Sequence, residues 1–96
     1  TPFFEGLAAV KIGDKWGYID KEGKSVINPQ FEYAEPFSNG LAVVALDKKF
    51  GYIDKTGKVI ISPQFTGALP FSNEGIAEVL NYPKIGFIDK SGKYIT

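Results

Sequence analysis

The chain contains no cysteine, no histidine, no arginine and no methionine. Without cysteine there is no disulfide, no thiol nucleophile and no cysteine-based zinc site, and the redox compartment is left open. Without histidine the sequence gives up the commonest general base and the commonest metal ligand. Eleven lysines are set against eleven acidic residues. Nucleic-acid binding is therefore disfavoured, since phosphate contacts need net positive charge and base reading leans on arginine. No run of about 18 apolar residues occurs, so no membrane span is expected, and there is no signal-peptide pattern. The chain opens at Thr1, from which we expect an excerpt of a longer or processed polypeptide.

What the sequence does have is aromatic residues and repetition. Eight Phe, five Tyr and one Trp occur in 96 residues, and each can bury roughly 150–250 Å². That matters for a chain too short to bury much of its surface. The stretch KWGYIDKEGK (Lys15–Lys24) returns as KFGYIDKTGK (Lys49–Lys58) and KIGFIDKSGK (Lys84–Lys93). Trp16, Phe50 and Ile85 form one column, spaced 34 and then 35 residues. Pro2-Phe3, Pro36-Phe37 and Pro70-Phe71 form another, and Asn28–Phe31 (NPQF) returns as Ser62–Phe65 (SPQF). The units run 2–35, 36–69 and 70–96, and the third stops before any Pro-Gln-Phe segment. Fixed periods of this length mark repeat architectures.

Each unit reads as strands. Leu7–Ile12 is a short apolar run, Lys15–Asp20 is rich in aromatic and branched residues, and Lys24–Ile27 supplies a third, shorter strand. Gly and Pro interrupt too often for a helical stripe. Asp20-Lys21-Glu22-Gly23 has the chemistry of a type I turn followed by a left-handed glycine, and Asp54…Gly57 and Asp89…Gly92 repeat it. Capping is thus the expected role of these three aspartates. The flanking Lys21, Lys24, Lys55, Lys58, Lys90 and Lys93 suit a solvated edge that resists strand-to-strand aggregation. Gly17, Gly51 and Gly86 lie inside predicted strands, where glycine costs stability unless a ring or neighbouring strand packs over the bare backbone. Alternation puts Trp16 and Tyr18 on one face and Ile19 on the other.

The combined pattern, F-x-x-G-L-A-x-V, K-W-G-Y-I-D-x-x-G-K and I-x-P-Q-F-x-x-A, closely resembles the bacterial WG-repeat family over essentially the whole chain. The resemblance implies a β-rich array with an interaction role and no common enzymatic activity. Only the first unit keeps Trp16-Gly17; Phe50-Gly51 and Ile85-Gly86 replace it. Apolar bulk is what that column needs, which argues against a ligand role requiring an indole in every unit. Cell-wall-binding repeats also use aromatic hairpins, but with a shorter period and without the Pro-Gln-Phe and Pro-Phe segments.

A four-stranded propeller blade needs roughly 40–45 residues, and closure typically takes four or more blades. The expectation is therefore all-β: an open, solenoid-like array of about three antiparallel, three-stranded units stacked side by side. Connectors crossing between neighbours would bury Phe31, Phe37, Phe65 and Phe71. An uncapped end predicts self-association. Residues that break the repeat are the candidate interaction surface, because architecture does not demand them: Glu32, Tyr33, Glu35, Glu78, Asn81 and Tyr82, together with Trp16. An enzyme reading would need paired carboxylates such as Glu32 and Glu35 across a groove, and nothing in the sequence fixes such geometry. No catalytic residue, metal site or cofactor is expected. The expected function is a non-catalytic module for protein–protein interaction or scaffolding, with another protein or further parts of the parent chain as partner. A carbohydrate- or cell-wall-binding module using exposed aromatics is the alternative.

Overall fold

The computed structural model describes residues 3–95, so Pro2 of the first Pro-Phe pair and Thr96 lie outside the described residues. Every regular element among those residues is a β-strand: β1 (Ala8–Ile12), β2 (Lys15–Ile19), β3 (Ser25–Phe31), β4 (Tyr33–Ala34), β5 (Ala42–Leu46), β6 (Lys49–Ile53), β7 (Val59–Phe65), β8 (Gly67–Ala68), β9 (Ala77–Asn81), β10 (Lys84–Ile88) and β11 (Tyr94–Ile95). They form three separate antiparallel sheets, β1-β2-β3, β4-β5-β6-β7 and β8-β9-β10-β11, which do not close into a ring. The molecule is elongated, 42 × 27 × 20 Å, as a stack of sheets should be.

The sheets are not all three-stranded. After each Pro-Gln-Phe segment a two-residue strand leaves its own unit and pairs with the first strand of the next. Tyr33 and Ala34 lie opposite Ala45 and Val44, and Gly67 and Ala68 lie opposite Leu80 and Val79. Each unit thus lends an edge strand to its successor. The backbone bonds continue past these strands, with Glu35 N–H donating to Val43 O and Leu69 N–H to Glu78 O. The third strand of units one and two is also longer than the sequence suggests, running through the proline to Phe31 and Phe65.

The in-strand glycines explain that length. Trp16 lies opposite Phe31 and Tyr18 opposite Ile27, so β3 spends four residues where β2 spends two. The surplus forms a bulge that folds its backbone down over Gly17. A Cβ on Gly17 would stand 2.5 Å from Ile27 O and 2.7 Å from Pro29 N. Gly51 meets Ile61 O and Pro63 N at the same two distances. Proline suits this crossing because it carries no N–H that would need a ladder partner.

Packing follows from the alternation of side chains. One face of the second sheet (Ala42, Val44, Ile53) meets Leu7, Ala9, Tyr18 and Ile27 of the first, with Phe31, Ala34 and Phe37 of the connector between them. Its other face (Leu41, Val43, Tyr52, Ile61) meets Ala77, Val79 and Ile88 of the third, with Phe65 and Phe71 between. The four connector phenylalanines are all buried, as the sequence predicted. Tyr18 is 1% exposed and Tyr52 0%. Each hydroxyl donates to a connector carbonyl, Glu35 O at 2.6 Å and Leu69 O at 2.7 Å. Each ring meets a connector phenylalanine edge-on, Phe37 at 4.9 Å and Phe71 at 4.8 Å. Burial raises both phenols well above the ordinary value of 10.

The Asp…Gly turns form as expected. Asp54 Oδ1 accepts N–H bonds from Thr56 and Lys58, and Gly57 N–H donates to Asp54 O, with Gly57 at φ +90°. Asp20 and Asp89 repeat the pattern. The turns also help to stack the units, since a Cβ on Gly57 would stand 3.4 Å from the Ile27 side chain while one on Gly23 would meet nothing within 4 Å.

Two substitutions test this account. Gly51→Ala forces the bulge apart and is expected to cost about 3 kcal/mol, the upper range for overpacking. Gly86→Ala needs only the Tyr94 ring to move and is expected to cost clearly less; equal losses of Tm would refute the backbone-crossing explanation. Gly57→Val should lower Tm more than Gly23→Val, because both break a left-handed turn but only the first strikes Ile27.

Candidate functional site

The candidate residues divide between the first joint of the array and the third unit. Around the first joint, Trp16 is half-buried and packs against the core between units one and two, as does Leu46. Glu32 follows Phe31 directly. Its carboxylate accepts Asp47 N–H and Lys48 N–H, both at 3.0 Å. Those two residues form the tip of the β5–β6 hairpin with φ of 53° and 65°, the left-handed pair that a tight hairpin turn requires. The N–H bonds from Lys48 and Asp47 hold the Glu32 carboxyl below its ordinary value of 4.5.

Glu32 is therefore a turn cap, and its counterpart in unit two does the same work with different chemistry. Thr66 Oγ1 accepts Tyr82 N–H at 3.0 Å and donates to Leu80 O at 2.9 Å. Read as letters, Glu and Thr are a break in the repeat. Read as acceptors, they are one position serving the next unit's hairpin.

Tyr33 and Glu35 are neighbours, Tyr33 OH donating to Glu35 Oε2 at 2.9 Å. That bond raises the Tyr33 phenol above its ordinary 10. The Tyr33 ring also meets Phe50 edge-on at 6.0 Å, covering the column residue of unit two. Both carboxylates have partners within the array: Glu32 caps a hairpin and Glu35 accepts from a phenol.

The second group lies on unit three. Tyr82 is, among the described residues, the most exposed large hydrophobic side chain at 78%, at the tip of the β9–β10 hairpin. Glu78 is half-buried on the face that Ala9 and Val43 occupy in units one and two, where both are buried. Asn81 lines a groove of about 370 Å³ with Lys84, Ile85, Gly86 and Tyr94. Glu78 lines a second groove, about 240 Å³, with Gly67, Ala68, Leu69, Val79, Leu80 and Ile85. The two grooves meet at Ile85, which is 64% exposed.

Repeat equivalence accounts for the second groove. Gly67 stands where unit one has Tyr33, so the ring that covers Phe50 has no counterpart over Ile85. In the sequence Ile85 takes the column of Trp16 and Phe50, and Phe87 that of Tyr18 and Tyr52. Among the described residues no strand faces Ile85 as β3 faces Trp16 and β7 faces Phe50. Phe87 is 47% exposed, although its equivalents Tyr18 and Tyr52 are fully buried. With Ile76 and Ile85 it makes unit three's outer face apolar and exposed.

The model of the WG containing repeat matches residues 1–16, 16–50 and 50–81. The chain belongs to the WG-repeat family. No curated protein and no solved structure shows significant similarity to it. Within the WG repeat, the glycine is the residue beneath the crossing strand, and the tryptophan position is a half-covered wedge that phenylalanine also fills at Phe50. This WG-repeat chain is a repeat module, and among its described residues no helix is long and apolar enough to cross a membrane.

The capping role of Glu32 has a pH signature. A depressed carboxyl contributes stability above its unfolded-state value and loses it as pH falls through the folded-state value. Glu32→Ala is therefore expected to lower Tm at pH 7 and to make progressively less difference as the pH falls through the folded-state value, measured as the gap between variant and parent melts. A gap that persists unchanged in acid would mean the side chain acts by packing, not by its charge.

Proposed function

We propose that this WG-repeat array is a non-catalytic module for protein–protein interaction or scaffolding, and that its contact surface is the outer face of the third unit. One observation carries the reading. The column positions buried between units one and two, and again between two and three, are open at Phe87, Ile85 and Ile76. Exposed apolar side chains grouped on one face, here with the half-buried Glu78 opposite Phe87, are the usual mark of a protein contact. The partner is another protein or a further part of the parent chain; self-association through the same face is the homotypic case.

The polar residues support a structural use over a catalytic one. Asp20, Asp54, Asp89 and Glu32 each accept backbone N–H bonds in turns. The carbohydrate alternative loses Tyr18 and Tyr52, which lie between sheets, and Trp16, which is wedged against a core, and keeps only Phe87 of the four aromatics it would use.

The test is site-specific photo-crosslinking in the parent polypeptide, with the probe at Ile85 and a control at Ile60, which is also exposed but lies away from this face. Protein adducts at position 85 and none at 60 are expected. Equal labelling at both positions, or Trp16 emission that shifts on titration with glycans and not with protein partners, would overturn the proposal.

A further inference from the structure

The groove over Gly86 has a shape that this chain fills elsewhere with its own backbone. In unit one Asn28–Phe31 lies over Gly17, and in unit two Ser62–Phe65 lies over Gly51, each with a proline nitrogen 2.7 Å from the missing Cβ. Each segment then places its phenylalanine opposite the column residue, Phe31 opposite Trp16 and Phe65 opposite Phe50. Over Gly86 there is no strand at that position among the described residues. The Tyr94 ring lies there instead, with Cε1 2.7 Å from where a Cβ would stand. Ser25 and Val59, the equivalents of Tyr94, are exposed, and the three nearest atoms to a Cβ on Gly17 or Gly51 are all backbone.

Resting on the interaction reading above, we infer that the groove formed by Ile85, Gly86, Asn81 and Lys84 is an acceptor site for one kind of occupant: an extended peptide segment carrying Pro-Gln-Phe, antiparallel to β10 beyond the Phe87–Ile95 pair where β11 holds the edge, with Tyr94 as its removable plug. The argument is continuity with the two joints already built. The bare glycine backbone admits a strand at a distance no side chain tolerates. The proline supplies a crossing residue without an N–H. The phenylalanine covers Ile85 as Phe31 and Phe65 cover Trp16 and Phe50. A Pro-Phe pair five residues further along would bring a ring to Phe87, as Phe37 reaches Tyr18 and Phe71 reaches Tyr52. A second folded copy of the chain does not meet this description, because its Phe31 and Phe65 are buried in its own joints. Strand addition of this kind takes affinity from main-chain hydrogen bonds and specificity from pockets for alternate side chains.

The experiment uses the whole folded chain and a labelled synthetic peptide copying Ile61–Phe71, followed by fluorescence anisotropy and by amide shifts of Ile85, Gly86 and Phe87. Binding is expected for this peptide and not for a scrambled one. Gly86→Ala should weaken it about tenfold or more, as overpacking at a backbone crossing implies, while leaving the circular dichroism spectrum unchanged. Tyr94→Ser, which installs the residue found at position 25, should tighten it by removing the plug. Equal binding of the scrambled peptide, or affinity indifferent to both substitutions, would overturn the inference. Crosslinks at Ile85 that persist when the peptide fails to bind would leave the interaction reading standing and remove only this occupant.

Discussion

At Gly17 and Gly51 one strand's backbone occupies the space where another's side chain would begin, and the rest of the array depends on that crossing. The bulge that makes it spends two surplus residues in β3 and β7, and a bulged strand bends and twists more strongly. Phe31 and Phe65, the last residues of those strands, are thereby turned into the space between sheets. The chain leaves in the direction of the next unit and pairs with its first strand. The tyrosine after each glycine then finds the connector's carbonyl within hydrogen-bonding distance of its hydroxyl. A buried phenol without such a partner would pay the desolvation of its hydroxyl in full. Gly, Tyr, Pro and Phe are therefore four consequences of one geometry, which is why they recur together.

Units held this way are bound by more than apolar contact. Glu5 accepts N–H bonds from Asn39 and Gly40 of the next unit's loop, and Ser38 and Asn39 in turn donate to Phe71 O. Lys90 donates to Asn39 O, and Lys55 lies 3.4 Å from Glu5. The exposed ion pair contributes little by itself. The bonds to backbone matter more, because they satisfy loop groups that would otherwise depend on water and they fix the stagger between units. Two of the turn lysines thus lie at joints between units, a use beyond the solvated edge their spacing suggested.

Much of this was legible in the amino-acid order, for a physical reason. Turns, alternation and buried aromatics are local, and three copies let each be read against the others. What the sequence concealed is non-local. Tyr33–Ala34 and Gly67–Ala68 become strands only because a neighbouring edge is there to pair with; two residues carry no alternation to announce it. The Glu32–Thr66 equivalence was hidden because a carboxylate and a hydroxyl look unlike, while the hairpin N–H groups they meet ask only for an oxygen. Among the candidate residues, those of the first joint (Trp16, Glu32, Tyr33) are largely explained by construction. Glu78 and Asn81 line grooves instead, and Tyr82 stands free at a hairpin tip.

The third unit can be read as a test of what solvent alone would favour. Where units one and two bury a tyrosine, it exposes a phenylalanine, and where the second unit's column residue is covered by Tyr33, it leaves Ile85 bare beside Gly67. A face meant for water has no use for either change, since the tyrosine hydroxyl would be solvated there at no cost. Losing the hydroxyl does make sense for a face that is covered without a carbonyl at that one point, because an unpaired buried hydroxyl costs more than an absent one. Glu78, at a position apolar in both other units, gives the same face a polar limit on what can settle against it. The outer sheet therefore has the hydrophobic columns of a joint, but with altered polar demands.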